Sequence, residues 1–392
     1  MTELVLDPGR CLPEDMASAT LLGRAWHPGH AVPGPVVVTV RNGRVLDLSA
    51  SFPTLADVLN AKDPAGLAKG ASGENIGAVE DLLANSVEHG RDATRPWLLA
   101  PVDLQALKAC GVTFAVSTLE RVLEEHAKGD PTRASALRAE LDRTIGTELR
   151  RIKPGSAEAA ELKRTFEEKG MWSPYLEVGL GPDAEVFTKA QPMSSVGIGA
   201  DIGIHPRSSW SNPEPEVVLV AGASGSIVGA TLGNDVNLRD FEGRSALLLG
   251  RAKDNNGSCT LGPFIRLLDA GFTLDDVRGL EVSVDIEGPE GFTLSEVSRM
   301  SAISRDVADL MAQTFDAHHY PDGVILFTGT LFAPIQDRDE AGMGFTHKPG
   351  DIVMIRSPRL GALVNRVGLS TEIAPWTFGL AELTKVLVAR AG

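Results

Sequence analysis

The first hundred residues alternate short apolar runs with turn residues. Two β-rich runs, Pro35–Val40 and Arg44–Leu48, flank Asn42-Gly43, a dipeptide that favours a type I′ turn. This pattern predicts a β-hairpin over 35–48 in a small N-terminal β-rich domain. Residues 60–95 are polar and rich in glycine and alanine. We therefore place a boundary near residue 97 and predict two domains, 1–97 and 98–392.

The middle of the chain has the pattern of charged helices. Three segments, 116–127, 132–152 and 156–170, are separated by Gly-Asp-Pro and Lys-Pro-Gly, which end helices. They predict a helical insertion over about 117–170 that covers the second domain. After Trp172 the pattern changes to short β-rich runs, with one helical segment near 238–252. The whole chain predicts an α+β fold dominated by strands.

Composition narrows the functional classes. The 392 residues are 43% hydrophobic, and 52 acidic against 37 basic side chains give a net charge of −15. An acidic chain without a basic cluster argues against a nucleic-acid partner. No apolar run is long enough to span a bilayer and no secretory signal is visible, so we expect no membrane partner and a cytoplasmic location. Three widely spaced cysteines argue against a disulfide framework or a zinc cluster.

Two carboxylates mark the start of one apolar strand. Glu214 and Glu216 are alternate residues before Val217–Val220, so they share one face of the strand, and Asp235 follows downstream. Adjacent anions repel unless a cation lies between them. Three oxygen ligands suit Mg²⁺, Mn²⁺ or Ca²⁺. The alternative is a solvated edge strand marked by Pro215.

Other charged residues are candidates for chemistry in the same region. Glu185 and Lys189 share a face in the run 184–189, and Lys253 follows an apolar run. They would serve proton transfer and substrate binding, although each alone is more often a surface charge. The glycine-rich stretch 222–229 favours a hairpin turn over a dinucleotide loop. His347 precedes a turn sequence that predicts a position near the surface.

Taken together these stretches resemble the fumarylacetoacetate hydrolase family. The carrying motifs are Glu214-Pro-Glu216, Asn234-Asp-Val-Asn-Leu-Arg-Asp240, Lys253, Thr328-Gly-Thr330 and Gly350-Asp351. The resemblance implies a mixed β-roll and Mg²⁺ or Mn²⁺ held by the two glutamates and Asp235. It also implies a small 2-oxo acid substrate and a homodimer or homotetramer.

One departure points to a branch of that family. Its hydrolases carry a water-activating histidine where this chain has Ser117, which also begins a possible capping box with Glu120. The serine is similar to the dehydratases of 2-keto-3-deoxy sugar acids. The resemblance then implies dehydration of a 2-keto-3-deoxypentonate, such as 2-keto-3-deoxy-D-xylonate, to 2,5-dioxopentanoate.

The same resemblance implies roles for individual residues. Glu185 would be the acid/base, and Lys253 would orient the substrate or stabilise the enolate. Ser117, Lys189 and Thr330 would contact the substrate. One alternative is a hydrolase that cleaves a C–C bond in acylpyruvates or related β-diketones. Another is a protein that binds a metal or a sugar acid without turnover.

Overall fold

The computed structural model describes residues 4–128, 130, 132–133, 152–168, 172–332, 336–339 and 343–392. Its strands are β1 (Leu21–His27), β2 (Gly34–Arg41), β3 (Arg44–Asp47), β4 (Glu74–Ala78), β5 (Trp97–Leu99), β6 (Ala106–Gly111), β7 (Glu185–Ala190), β8 (Asp201–Ile204), β9 (Ser211–Asn212), β10 (Pro215–Ala221), β11 (Ile227–Asp235), β12 (Asn237–Leu238), β13 (Cys259–Leu267), β14 (Glu281–Glu287), β15 (Thr293–Arg299), β16 (Val324–Phe327), β17 (Ile352–Ser357) and β18 (Gly361–Leu369).

The helices among these residues are mostly short. They are α1 (Pro8–Cys11), α2 (Leu55–Leu59), α3 (Pro64–Gly70), α4 (Val79–Ala84), α5 (Ala115–Ala127), α6 (Ala157–Glu168), α7 (Pro174–Leu180), α8 (Arg239–Glu242), α9 (Leu249–Lys253), α10 (Leu274–Arg278), α11 (Val307–Phe315) and α12 (Leu380–Ala391). None of the described helices is long and apolar enough to cross a membrane.

Most described strands join one large mixed sheet. Its order is β4-β3-β2-β1-β13-β11-β10-β16-β6-β7, and β5 also pairs with β1. A second sheet has the order β15-β14-β17-β18-β8, and β9 pairs with β12. Neighbouring strands are antiparallel except in the pairs β16–β6 and β18–β8. The predicted β-dominated α+β fold, a mixed β-roll, is confirmed.

The side chains of β10 alternate between two hydrophobic cores. Val217 and Leu219 belong to the core shared with β14 and β17 of the second sheet. Val218 and Val220 belong to the core on the opposite face, which helix α2 covers. Because alternate strand residues share a face, Glu216 lies on the same side as Val218, at the beginning of the strand.

Several local predictions hold. β2 and β3 form the predicted hairpin, and Asn42 and Gly43 have φ values of 50° and 72°, as a type I′ turn requires. The glycine-rich stretch 222–229 contains the turn between β10 and β11. Helices α5 and α6 correspond to the first and third predicted charged helices. The middle one, 132–152, lies almost wholly outside the described residues.

Two further predictions concern the second half and the domain division. The helical segment near 238–252 is present as α8, a 3₁₀ turn at Ala246–Leu248, and α9. The division into 1–97 and 98–392 stays a prediction. The large sheet runs through it, because β1 pairs with β13.

Candidate active site

Three carboxylates meet where β10 begins and β11 ends. In the pairing of these two strands, Pro215 lies opposite Asn234. The backbone N–H of Asp235 donates to the carbonyl of Glu214 at 3.0 Å, so Glu214 and Asp235 are neighbours. Glu216 shares the face of Glu214. One carboxylate oxygen from each lies within 4.8 Å of the other two, and all three residues are buried. The structure thus brings the predicted metal ligands together.

The alternative of a solvated edge strand is wrong. β10 lies between β11 and β16 inside the large sheet. Pro215 is the first residue of the strand, a position that tolerates the missing N–H of proline. The side-chain oxygen of Asn234 accepts the backbone N–H of Glu214 at 3.0 Å. The acidic pair is therefore fixed in the interior of the sheet.

The Thr-Gly-Thr turn holds the same strand from the other side. The N–H of Gly329 donates to Oε2 of Glu216 at 2.6 Å, and the hydroxyl of Thr330 donates to the carbonyl of Pro215 at 3.0 Å. Gly329 has φ +90°, and a Cβ there would lie 2.1 Å from Oγ1 of Thr113. The site therefore requires glycine at this position. The predicted contact of Thr330 with a substrate stays a prediction.

Two lysines are buried against the carboxylates. Nζ of Lys189 lies 2.8 Å from Oδ1 of Asp235, and Nζ of Lys253 lies 3.0 Å from its Oδ2 and 2.5 Å from Oε2 of Glu214. Lys189 also donates to the carbonyl of Lys253. It is the extra residue where the pairing of β6 with β7 shifts register. The interpretation of either lysine as a surface charge is wrong.

Burial and neighbouring charges set the protonation of the cluster. Burial raises the pKa of Glu216 well above its usual range, and the carboxylates of Asp235 and Glu214 add to the rise. Burial would also raise the pKa of Asp235, but Lys189 and Lys253 outweigh it and lower that pKa. Burial opposes a charged Lys253, yet Asp235 and Glu214 raise its pKa. Glu216 is thus the carboxylate whose charge the protein compensates least.

Helix α5 adds a cation that the sequence did not indicate. Arg121 lies 2.5 Å from Oε1 of Glu214 and 3.1 Å from Oε2 of Glu242, which is on α8. Both oxygens of Glu214 therefore face a cation. Arg121 is 93 residues from Glu214 in the chain. No local pattern connects residues at that separation, so sequence reasoning missed both Arg121 and Glu242.

Glu185 begins β7, opposite Gly111 of β6. Its carboxylate packs on the glycine, because a Cβ at Gly111 would lie 1.9 Å from Oε2 of Glu185. Burial, with a smaller contribution from Glu242, raises the pKa of Glu185 to about 7, while Arg121 and Lys253 oppose the rise. A carboxyl group with this pKa exists in both protonation states near neutral pH.

Ser117 and Glu120 differ from the predicted capping box. Helix α5 begins before Ser117, and the serine hydroxyl donates to the carbonyl of Phe114 at 2.8 Å. Glu120 instead forms an ion pair with Arg239 at 3.1 Å. The capping role of Glu120 is therefore wrong, because the helix starts earlier than the pattern indicated. Contact of Ser117 with a substrate stays a prediction.

The expected surface position of His347 is also wrong. Its side chain is fully buried, and Nδ1 lies 3.0 Å from Oδ2 of Asp351. Arg338 pairs with the same aspartate at 2.6 Å and stacks on Phe292. The predicted turn is present, because the backbone N–H of Lys348 donates to the side chain of Asp351 at 3.0 Å. The turn itself is partly exposed at Lys348 and Pro349, but the side chains of His347 and Asp351 on either side of it are buried.

The donor set fits a divalent cation. Glu214, Glu216 and Asp235 offer three carboxylate oxygens without a histidine or cysteine among them, and Mg²⁺ prefers such oxygen ligands. A cation between them would also compensate the charge of Glu216. Their role as metal ligands remains a prediction.

Comparison with known proteins agrees with this geometry. Residues 179–368 match the family model described as fumarylacetoacetate hydrolase, C-terminal. This stretch of the chain is therefore similar to that family. Two other proteins are similar in sequence. A probable 2-keto-3-deoxyxylonate dehydratase of Haloferax volcanii is 32% identical over 201 residues, and a 2-dehydro-3-deoxy-D-arabinonate dehydratase of Saccharolobus solfataricus is 33% identical over 187.

These alignments cover part of each protein. The first spans 51% of this chain and 66% of the Haloferax protein, and the second spans 47% and 58%, under two thirds of each relative. A structure of 2-keto-3-deoxy-D-arabinonate dehydratase without ligand superposes with a TM-score of 0.62 at 20% identity, covering 89% of this chain and 99% of the other. A structure of the enzyme with magnesium and 2,5-dioxopentanoate gives 0.60 with the same identity and coverage. The fold of these structures therefore extends over most of the chain.

Proposed function

We propose that this protein is a Mg²⁺- or Mn²⁺-dependent dehydratase that converts a 2-keto-3-deoxypentonate, such as 2-keto-3-deoxy-D-xylonate, into 2,5-dioxopentanoate. The observation that carries the proposal is the buried cluster of three carboxylates beside two lysines. Glu185 is close enough for the charges of Lys253 and Glu214 to act on its pKa. The names of the two relatives that are more than 30% identical support the choice of substrate class.

Glu185 is the proposed acid/base. Dehydration removes a proton from C3 and the hydroxyl from C4 of the substrate, and these leave together as water. Moving one proton from C5 to C3 then gives an enol between C4 and C5. Moving the proton of the enol hydroxyl to C4 turns this enol into the aldehyde. A carboxyl with a pKa near 7 both accepts and returns protons at neutral pH, which suits such transfers.

The remaining residues of the site hold its parts in position. The carboxylates would bind the cation, which supplies a Lewis acid for the 2-oxo group. Lys189 is fully buried and lies 2.8 Å from Asp235, so we propose that it positions this ligand. The predicted contact of Lys189 with the substrate stays a prediction. Lys253 bridges Glu214 and Asp235 and fixes their spacing, and its predicted role in orienting the substrate is part of this proposal.

Assembly and location remain predictions. We expect a homodimer or homotetramer in the cytoplasm, with the small sugar acid as the ligand and neither nucleic acid nor membrane as a partner.

Removing the metal tests the proposal. The protein is dialysed against EDTA, and loss of the 2-keto-3-deoxypentonate is followed with and without added Mg²⁺. We expect no turnover in EDTA and recovery with Mg²⁺. Glu216→Ala should stay inactive with Mg²⁺, whereas Glu281→Gln, a control at an exposed carboxylate, should be fully active. Full turnover in chelator would show that the carboxylates do not hold a required metal.

A further inference from the structure

A cavity of about 340 Å³ lies beside β1 and β5. The strand register builds its floor. Trp26 pairs with Trp97 and Arg24 pairs with Leu99, so these four side chains share one face. Segments 193–201 and 374–378 form the walls. The carboxylates and lysines of the candidate active site do not line this cavity, which is therefore a separate feature.

Indole rings form its apolar surface. Trp26 and Trp97 stack with ring centroids 5.6 Å apart, and Phe378 meets Trp26 edge-on at 5.4 Å. Trp376 lies at the rim and is 47% exposed. Aromatic rings give a large, rigid surface for a ligand, and the volume falls in the range of small-molecule pockets. The cavity thus has the size and surface for a compact organic molecule.

Two guanidinium groups line the cavity, and the carboxylates that act on them electrostatically, Asp103 on Arg24 and Glu88 on Arg91, do not form a direct ion pair with them. Arg24 is 5% exposed and donates to the carbonyl of Val102. Arg91 lies over Trp97 at 5.0 Å and donates to two backbone carbonyls. Throughout the described part of the chain, no carboxylate lies within ion-pairing distance of either group. Buried charges in proteins are as a rule paired, and Arg24 is buried while Arg91 is half-buried, so this surface favours an anionic group.

Two acidic side chains line the same cavity and restrict the kind of anion. Glu88 accepts the backbone N–H of Asp201 at 2.9 Å, and Oδ2 of Asp201 lies 2.8 Å from Nε2 of His89. Ionised carboxylates accept hydrogen bonds and donate none. They repel a simple anion and favour a ligand that brings hydrogen-bond donors.

We propose that this cavity binds a small carboxylate whose carbon chain carries hydrogen-bond donors. The ligand carboxylate lies at the two guanidinium groups, the donors lie at the two acidic side chains, and the chain lies along the stacked indoles. Hydroxy acids and amino acids share this chemistry. The proposal is independent of the dehydratase activity, because the candidate active site takes no part in it.

Four five-carbon probes test the two halves of this recognition. The full chain is titrated by calorimetry with a pentonate, norvaline, pentanoate and a pentitol. Pentanoate lacks the donors and the pentitol lacks the carboxylate. We expect the pentonate or norvaline to bind at least about 10-fold more tightly than both, since a charge-assisted hydrogen bond is lost in each. Whichever binds better identifies the source of the donors. Failure of both to bind, or equal affinity for all four, overturns the proposal.

Variants locate the binding. Trp376→Ala at the exposed rim and Asp201→Asn should each weaken binding by about 10-fold, roughly the loss of one good contact. Trp172→Phe is the control, because Trp172 lies outside the cavity. Intrinsic fluorescence should respond to the ligand, since Trp26, Trp97 and Trp376 are three of five tryptophans.

Two results would show that the probe binds at another site or that this surface has another role. If Glu216→Gln abolishes binding, the probe occupies the candidate active site and the proposal is wrong. If Trp376→Ala leaves affinity unchanged and instead separates an oligomer into monomers, the face is a contact between subunits, which also contradicts the proposal.

Discussion

Glu216 and Asp235 lie in one cluster, yet their neutralisation should change the stability of the metal-free protein in opposite directions. Glu216 accepts the N–H of Gly329, but no described cationic side chain lies within ion-pairing distance of it. Asp235 pairs with two lysines at 2.8 and 3.0 Å. Removing the first charge relieves repulsion, whereas removing the second leaves buried ammonium groups with fewer partners.

The geometry sets the size of each effect. Two unit charges 4.8 Å apart, the outer spacing of the cluster, repel by about 3.5 kcal/mol at an effective dielectric constant of about 20. Lys253 offsets part of that repulsion. We therefore expect Glu216→Gln to raise the free energy of unfolding of the metal-free protein by about 1–2 kcal/mol. Asp235→Asn should lower it by about 3–5 kcal/mol, as expected when a buried ion pair is broken.

Urea denaturation of EDTA-treated protein at pH 8, where more of Glu216 is ionised, measures both changes. Saturating Mg²⁺ should stabilise the parent protein, because a ligand bound to the native state adds to its stability. It should stabilise both variants much less. If both substitutions shift the unfolding midpoint in the same direction, the charge balance derived from the structure is wrong.

Three further predictions concern residues around the site. Glu185→Gln should reduce turnover by about 100-fold or more while calorimetry shows unchanged Mg²⁺ affinity; normal turnover would place the base elsewhere. Gly329→Ala should lower stability to urea by about 1–3 kcal/mol more than Gly350→Ala. Both have positive φ, but a Cβ at Gly350 meets atoms no closer than 3.4 Å, and equal losses would contradict the steric argument. Burial would raise the pKa of Asp351, but Arg338 and His347 lower it to about 2. Its stabilisation is therefore complete above about pH 4 and lost as the pH falls toward 2, and the stability difference from Asp351→Asn should shrink over that window.

The carboxylate cluster was accessible from sequence because its geometry is local. Alternation places Glu214 and Glu216 on one face, and a single hairpin turn returns the chain to set Asp235 beside them. The hairpin of β2 and β3 was also predictable from local sequence, because its apolar runs and its Asn42-Gly43 turn are adjacent in the chain. The alternation of side chains along a strand and the residue preferences of tight turns depend only on residues close in the sequence.

The cations around the cluster depend on long-range packing. Arg121, which contacts Glu214, is 93 residues earlier in the chain. Lys189 lies at a register shift in the pairing of β6 with β7, and this shift sets the position of its side chain. His347 was placed at the surface because a turn sequence reports backbone direction and not burial. Without the packing, an Arg or Lys in the sequence is indistinguishable from a solvated charge.

Product identity tests the central claim most directly. The Mg²⁺-loaded protein is incubated with a 2-keto-3-deoxypentonate and, separately, with an acylpyruvate, and the products are identified by NMR. We predict 2,5-dioxopentanoate from the first, oxidisable by an added aldehyde dehydrogenase, and no cleavage of the second. Release of pyruvate and a carboxylic acid would contradict the account, because it requires an activated water that a dehydratase does not use.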